Sequence, residues 1–130
     1  ILIDPTHDFG KNTWHSLQLT RSLDELVGTG WPVLVSMSRK DFVGETLNIP
    51  VEERLPGTLA VTAVAAWLGV RVFRAHDVIA TRHVLDMVAA IRGSMPPRAA
   101  RRGGRALRSR SATGRHRTGR ARRETTSISP

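Results

Sequence analysis

The sequence contains no cysteine. Disulfides and thiolate metal sites are therefore excluded. It has no apolar run approaching the roughly 18–20 residues that a membrane-spanning helix needs. It opens on Ile1, inside an apolar run, without the basic n-region and apolar h-region of a secretory signal. The reading that follows is an internal stretch of a longer, cytoplasmic protein. Lysine is absent from residues 98–130, and acid is nearly so: that segment holds eleven Arg and a single acid, Glu124. Residues 1–97 instead hold nine basic and ten acidic residues. The formal net charge of +9 thus belongs to the tail, and a whole-chain average would misdescribe the body.

The tail is Arg, Gly, Ser, Thr and Ala with almost nothing to bury, so it cannot offset the entropy of ordering and is expected to be disordered. Arg without Lys also fits a shifted reading of GC-rich coding DNA. Such a tail would bind any polyanion in a salt-dependent, sequence-independent way. The body carries no nucleic-acid motif, so nucleic acid is not the expected partner.

The body is organised by three apolar runs that each end in polar residues. They are Ile1 to Ile3 followed by Asp4-Pro5, Val33 to Met37 followed by Ser38-Arg39-Lys40, and Val70 to Phe73 followed by Arg74-Ala75-His76-Asp77. Each reads as a buried strand, the first covered on both faces. Helices are expected between and after them. The spacing predicts one over Trp14 to Val27 with Thr13 as its cap, a short turn over Asp41 to Leu47, one over Gly57 to Leu68, and one over Ile79 to Ile91. The Ala-rich stretch from Ala60 to Ala66 suits burial against a sheet. In the last helix Val84, Leu85, Val88 and Ile91 form the apolar face, and the three tryptophans are read as packing residues. Alternating strand and helix predicts a parallel α/β fold. Three such units are too few to close a barrel of eight.

In parallel α/β folds the residues just past the carboxyl ends of the strands form the site. All three polar clusters sit there. Asp4 can accept two hydrogen bonds from an amino-heterocycle, or simply cap the loop after it. Phe9 can stack on a flat ligand or pack. Ser38-Arg39-Lys40 suits an anionic or carbonyl-bearing ligand, or is a solvated basic turn. Arg74 and His76, two apart on a strand, point to one side and make a good phosphate site; the plain alternative pairs Arg74 with Asp77. Asp8-Phe9-Gly10 spells a kinase metal motif without any other kinase element, and Gly10-Lys11 lacks the spacing of a P-loop. His7, His15, His83 and His116 show no helical pairing and no Cys partner, so no metal site is expected from them.

Taken together, Asp4-Pro5 with Phe9-Gly10-Lys11, Ser38-Arg39-Lys40 and Arg74-x-His76-Asp77 resemble the C-terminal part of the dihydropteroate synthase family, over about residues 1–95. The resemblance implies a partial TIM (β/α)8 barrel, its last three strand–helix units lying in residues 1–95, with 96–130 as a disordered basic tail. It implies an activity of folate biosynthesis: condensation of 6-hydroxymethyl-7,8-dihydropterin pyrophosphate with p-aminobenzoate. Mg2+ would act through the substrate pyrophosphate. Carried over by position, Asp4 and Lys40 would hydrogen-bond the pterin, Phe9 would lie beside it, and Ser38 would sit near the p-aminobenzoate carboxylate. Arg74 would pack along the pterin and, with His76, serve the pyrophosphate; Lys40, Arg74 and His76 are the expected catalytic residues. A homodimer is implied for the full-length protein, and no turnover is expected from this chain alone.

Two departures stand out. The loop after Asp-Pro is commonly Gly-rich in the family and here reads Thr6-His7-Asp8, and Ser36 stands where Gly is frequent. Side chains added to a loop that closes on a ligand are expected to narrow the pocket. The pattern is similar to the divergent second-copy paralogues of the family, so a catalytically inactive pterin-binding paralogue or scaffold is the alternative reading.

Overall fold

A strand that gives hydrogen bonds on both edges must lie between two neighbours, and β1 (Leu34–Val35) does so in the computed structural model, which describes residues 1–102. On one side it pairs in parallel with β2 (Val72–Phe73), Leu34 opposite Val72 and Val35 opposite Phe73. The Val72 N–H donates to the Val33 carbonyl at 3.3 Å and the Arg74 N–H to the Val35 carbonyl at 3.0 Å. On its other side Ile3 forms a parallel bridge to Val33. The Ile3 N–H donates to Pro32 at 3.0 Å, and Leu34 donates to the Ile3 carbonyl at 2.9 Å. The first run is therefore reduced to one bridge and is not buried on both faces. Ile1 and Leu2 are exposed, because among the described residues only β1 lies beside this segment.

Helices follow each extended segment. They are α1 (Thr13–Arg21), α2 (Leu23–Gly28), α3 (Asp41–Leu47), α4 (Leu55–Trp67) and α5 (Val78–Ile91), with a 3-10 turn at Val51–Glu53. None of the described helices is long and apolar enough to cross a membrane. The single helix expected over residues 14–27 is two, broken at Ser22. There the N–H is shared between the Gln18 and Leu19 carbonyls, both at 3.2 Å, which tightens the last turn. The break falls just before Leu23, which is fully buried. The cap is Asn12, not Thr13. Asn12 accepts from the His15 N–H at 2.9 Å, while its own N–H faces His15 Nδ1 at 3.5 Å, a reciprocal capping box. Thr13 is already helical, and its hydroxyl donates to Glu45 of α3. α4 begins at Leu55, before the expected Gly57, because Pro56 in a first turn sacrifices no helical hydrogen bond. Gly57 lies so close to α3 that a Cβ there would fall 2.5 Å from Val43 Cγ1.

Side chains alternate across β1. Val33, Val35 and Met37 are buried with Leu23, Phe42, Val43, Ala65 and Val70, so this face meets the helices. Leu34, Ser36 and Ser38 take the opposite face. α4 buries Thr58, Thr62 and Ala65, while its Ala60 and Val64 are exposed, so only one stripe of the Ala-rich helix reaches the core. In α5, Thr81 and Val88 are buried but Ile91 is exposed at the helix end. The tryptophans are not core residues: Trp14, Trp31 and Trp67 are 75%, 52% and 54% exposed. Each falls on an outer surface. The Trp67 ring lies 5.8 Å from the Arg92 guanidinium carbon, a distance suited to a cation–π contact. The described residues through Pro97 form one unit. Of the tail expected to be disordered and to bind polyanions, residues 96–130, the part beyond 102 lies outside the described residues.

The loop from Pro5 to Lys11 is tied to the helices by its side chains. His7 is 1% exposed, stacks on Phe42 with ring centroids 5.6 Å apart, and meets Thr20 Oγ1 through Nε2 at 3.1 Å. Its Nδ1 is buried without a hydrogen-bond partner among the described residues. Burial therefore disfavours the imidazolium and pulls the His7 pKa down from 6.5 to about 4, against the opposing pull of Asp8 and Asp4. Asp8 accepts from the Ser16 hydroxyl at 2.7 Å and from the Phe42 N–H at 3.2 Å, joining the loop to α1 and α3.

Two expectations follow. Phe42→Ala empties the contact between α3, His7 and the sheet, and is expected to cost about 3–5 kcal/mol. A denaturant midpoint within experimental error of the parent would sink that assignment. His7 is neutral in the fold and protonates more readily when unfolded. Its contribution is thus complete above pH 6.5 and declines as pH falls toward 4. By pH 5 the loss is about 2 kcal/mol. Unfolding curves at pH 7 and pH 5 should show a smaller pH dependence in His7→Gln than in the parent; equal dependence would assign the acid sensitivity to other groups.

Candidate functional site

The parallel register carries β1 and β2 forward into the polar clusters. Two residues past the Leu34–Val72 pair are Ser36 and Arg74; four past it are Ser38 and His76. Contacts follow this order. Arg74 Nη1 donates to Ser36 Oγ at 3.4 Å. The His76 N–H donates to Ser38 Oγ at 3.3 Å, and His76 Nδ1 lies 3.0 Å from the same oxygen. Arg74 and His76 therefore share one face, both exposed beyond the carboxyl end of the sheet.

Lys40 bridges this pair of strands to the first loop. Its ammonium donates to the His7 carbonyl at 2.7 Å and sits 4.2 Å from the centroid of the Phe9 ring. The Phe9 ring is 71% exposed, so it does not pack into the core. Asp4 Oδ1 accepts from the Thr6 N–H at 2.8 Å, as a loop-capping carboxylate does. No other hydrogen bond to Asp4 forms among the described residues, and its second oxygen remains available. Lys11 holds the loop from within, donating to Thr6 O at 3.1 Å, Thr6 Oγ1 at 2.9 Å and Phe9 O at 3.3 Å.

The alternative pairing of Arg74 with Asp77 does not occur. Asp77 instead takes a two-pronged contact from Arg39, with Nε to Oδ2 at 3.2 Å and Nη2 to Oδ1 at 3.1 Å. The register turns Arg74 toward Ser36, while Arg39, at φ +55°, leaves the end of β1 toward the start of α5. Two supporting groups carry no signal in the spacing of the sequence. Thr58 Oγ1 accepts from the Arg39 N–H at 2.9 Å. Arg54 Nη1 donates to the Arg39 carbonyl at 2.9 Å and to Asp41 at 2.8 Å. These long-range bonds fix the Ser38-Arg39-Lys40 turn, and only the folded chain brings them within reach.

Two of the three substituted loop side chains turn away from the exposed face. His7 points into the core and Asp8 is spent on Ser16 and Phe42, so neither side chain fills the exposed face. Thr6, Asp8 and Gly10 have φ of +55°, +66° and +62°. This left-handed region favours glycine, which gives a physical reason for a Gly-rich loop at these positions.

A cavity of about 810 Å³ lies elsewhere, lined by Trp31, Val33, Val70, Arg71, Leu85 and Arg92 among others. It is at the amino ends of the strands, and none of Asp4, Phe9, Ser38, Lys40, Arg74 or His76 lines it. The chemistry-bearing residues, not this cavity, mark the candidate site. Among the described residues no group of three or more His, Asp or Glu could hold a metal ion.

Comparison with known proteins identifies the family. A family model described as "Pterin binding enzyme" matches residues 1–76. The inactive dihydropteroate synthase 2 of Mycobacterium leprae is 67% identical over 97 residues, covering 75% of this chain and 33% of that protein. The dihydropteroate synthase of Escherichia coli is 41% identical over 90 residues, covering 69% of this chain and 32% of that protein. The crystal structure of the Yersinia pestis dihydropteroate synthase superposes with a TM-score of 0.69 at 42% identity, over 71% of this chain and 43% of that one. A Coxiella burnetii dihydropteroate synthase in complex with pteroic acid superposes at 0.67 with 37% identity, over 72% of this chain and 35% of that one. The chain thus spans about a third of the length of the curated relatives it matches. With the match covering more than half of its residues, and with the strand-end motifs in the order found, the chain belongs to the pterin-binding enzyme family and is dihydropteroate synthase-like.

Proposed function

We propose that this chain supplies the last three strand–helix units of an eight-unit barrel whose carboxyl-end site binds a dihydropterin pyrophosphate. The observation that carries the reading is the β1–β2 register, which sets Arg74 and His76 on one face with donors to spare. In this reading the second oxygen of Asp4 and the remaining hydrogens of Lys40 take the polar edge of the pterin. Phe9 borders the ring. Arg74 and His76 meet the pyrophosphate, where fixed donors stabilise charge as the leaving group departs. Ser38 lies on the side where the p-aminobenzoate carboxylate is expected. The same groups hold the two substrates in line, so the amine attacks the methylene as pyrophosphate leaves.

Among the described residues no group of three or more His, Asp or Glu stands ready to hold a metal by itself, and magnesium typically takes one or two carboxylates together with substrate phosphates. In the proposed reaction magnesium belongs to the substrate, as the counter-ion of its pyrophosphate. A cytoplasmic location is part of the same proposal.

A second reading has its own support. The relatives at 67% and 62% identity are named inactive dihydropteroate synthase 2, whereas the dihydropteroate synthases of Escherichia coli and Yersinia pestis share 41% and 42%. A pterin-binding paralogue without turnover would retain Asp4, Lys40, Arg74 and His76 for binding alone.

Calorimetry with 6-hydroxymethyl-7,8-dihydropterin pyrophosphate on the complete barrel tests what the two readings share, and a synthase assay then separates them. Lys40→Ala is expected to weaken the pterin pyrophosphate by about ten- to a hundredfold, the loss of a charged hydrogen bond. An unchanged affinity would remove Lys40 from the site. The 130-residue chain alone is expected to form no dihydropteroate, because roughly three of eight units cannot enclose both substrates; product from the purified chain would overturn the division of labour proposed here.

A further inference from the structure

Ser38 and His76 meet in a way that the pyrophosphate reading does not use. The Ser38 oxygen receives the backbone N–H of His76 at 3.3 Å and faces its ring Nδ1 at 3.0 Å. A hydroxyl offers one hydrogen and two lone pairs. The backbone N–H can only donate, so it occupies a lone pair. The hydroxyl hydrogen is then free to be given away, and among the described residues His76 Nδ1 is the only acceptor with which Ser38 Oγ is in contact. If Nδ1 carried the proton instead, the serine hydrogen would have no acceptor among the described residues.

We infer that Ser38 is a positioning residue that sets the tautomer of His76: its O–H donates to Nδ1, which leaves the proton on Nε2. Nε2 has no hydrogen-bond partner among the described residues, and its N–H is thereby kept for an anionic oxygen on the face shared with Arg74. A neutral imidazole in the other tautomer would present a lone pair to that anion and repel it. The inference rests on the proposal that Arg74 and His76 meet the pyrophosphate. It also changes the part given to Ser38. The one hydrogen of its hydroxyl is committed to His76, so Ser38 acts through the histidine and not by donating to a p-aminobenzoate carboxylate.

The surroundings permit this. Asp77, the carboxylate next in sequence to His76, is taken by Arg39. Arg74 is directed to Ser36. Neither of these groups competes with Ser38 for Nδ1 in the described contacts. The pair is fixed by the register of β1 against β2 and by the backbone bond, so it does not depend on the ring alone.

The test is nitrogen-15 NMR of the imidazoles in the full chain at alkaline pH, the His76 signals assigned by their absence in His76→Gln. The expected spectrum shows His76 protonated on Nε2. In Ser38→Ala the signals should shift toward a mixture of tautomers, and Ser38→Thr, which keeps the hydroxyl, should restore the parent pattern. Titration with inorganic pyrophosphate should show affinity several-fold weaker in Ser38→Ala and recovered in Ser38→Thr. A parent His76 protonated on Nδ1, or an unchanged spectrum in Ser38→Ala, overturns the inference. A parent chain with the expected tautomer that binds no pyrophosphate leaves the role of Ser38 standing and counts against the anion-binding reading of the site.

Discussion

The structure depends on β1 having a parallel neighbour on each edge. Its backbone bonds reach Ile3 on one side and β2 on the other, and those bonds fix which residues lie opposite which. Side chains alternate along a strand, so a one-residue slip would exchange the faces. Val33, Val35 and Met37 would leave the helices, and Ser36 and Ser38 would lose Arg74 and His76. Core packing and site geometry are thus two consequences of one register. The apolar alternation that buries the core also aims the polar residues beyond it.

The first loop is held by a different device. Three of its residues adopt left-handed backbone, and two of these are not glycine. Each such residue costs on the order of 1 kcal/mol. The cost is offset by what the loop's side chains do: Asp8 bonds to α1 and to the start of α3, His7 stacks on Phe42, and Lys11 gathers the carbonyls. Lys40 then ties the loop to the end of β1 through the His7 carbonyl. Divergence at Thr6-His7-Asp8 is therefore directed mainly into the interior. The groups facing outward, Asp4, Phe9 and Lys40, are those that carry the family resemblance.

Much of this was legible in the sequence because the relevant signals are local. Apolar runs ending in polar residues located the strands, and the bounds of α3 were read correctly as Asp41 to Leu47. The misses have physical causes. Asn12 caps α1 with the help of a histidine at a position where Glu or Gln is the usual signal, so the box was not visible. A continuous apolar spacing from Leu19 to Val27 concealed the break at Ser22. The tryptophans looked like core because their type is apolar, yet which helix face is covered depends on the partners packed against it.

By itself, the sequence determined the order of strands and helices, the separation of a near-neutral body from an Arg-rich tail, and the strand-end motifs that identify the family. These rest on periodicity, composition and short spacings, all of which operate within a few residues. Only the tertiary structure decided that Asp77 pairs with Arg39 and not Arg74, that Thr58 and Arg54 brace the basic turn, and that Ser38 meets His76. Those contacts join residues 15 to 38 positions apart. Their partners are chosen by register and by the approach of helices to the sheet, which no local pattern encodes.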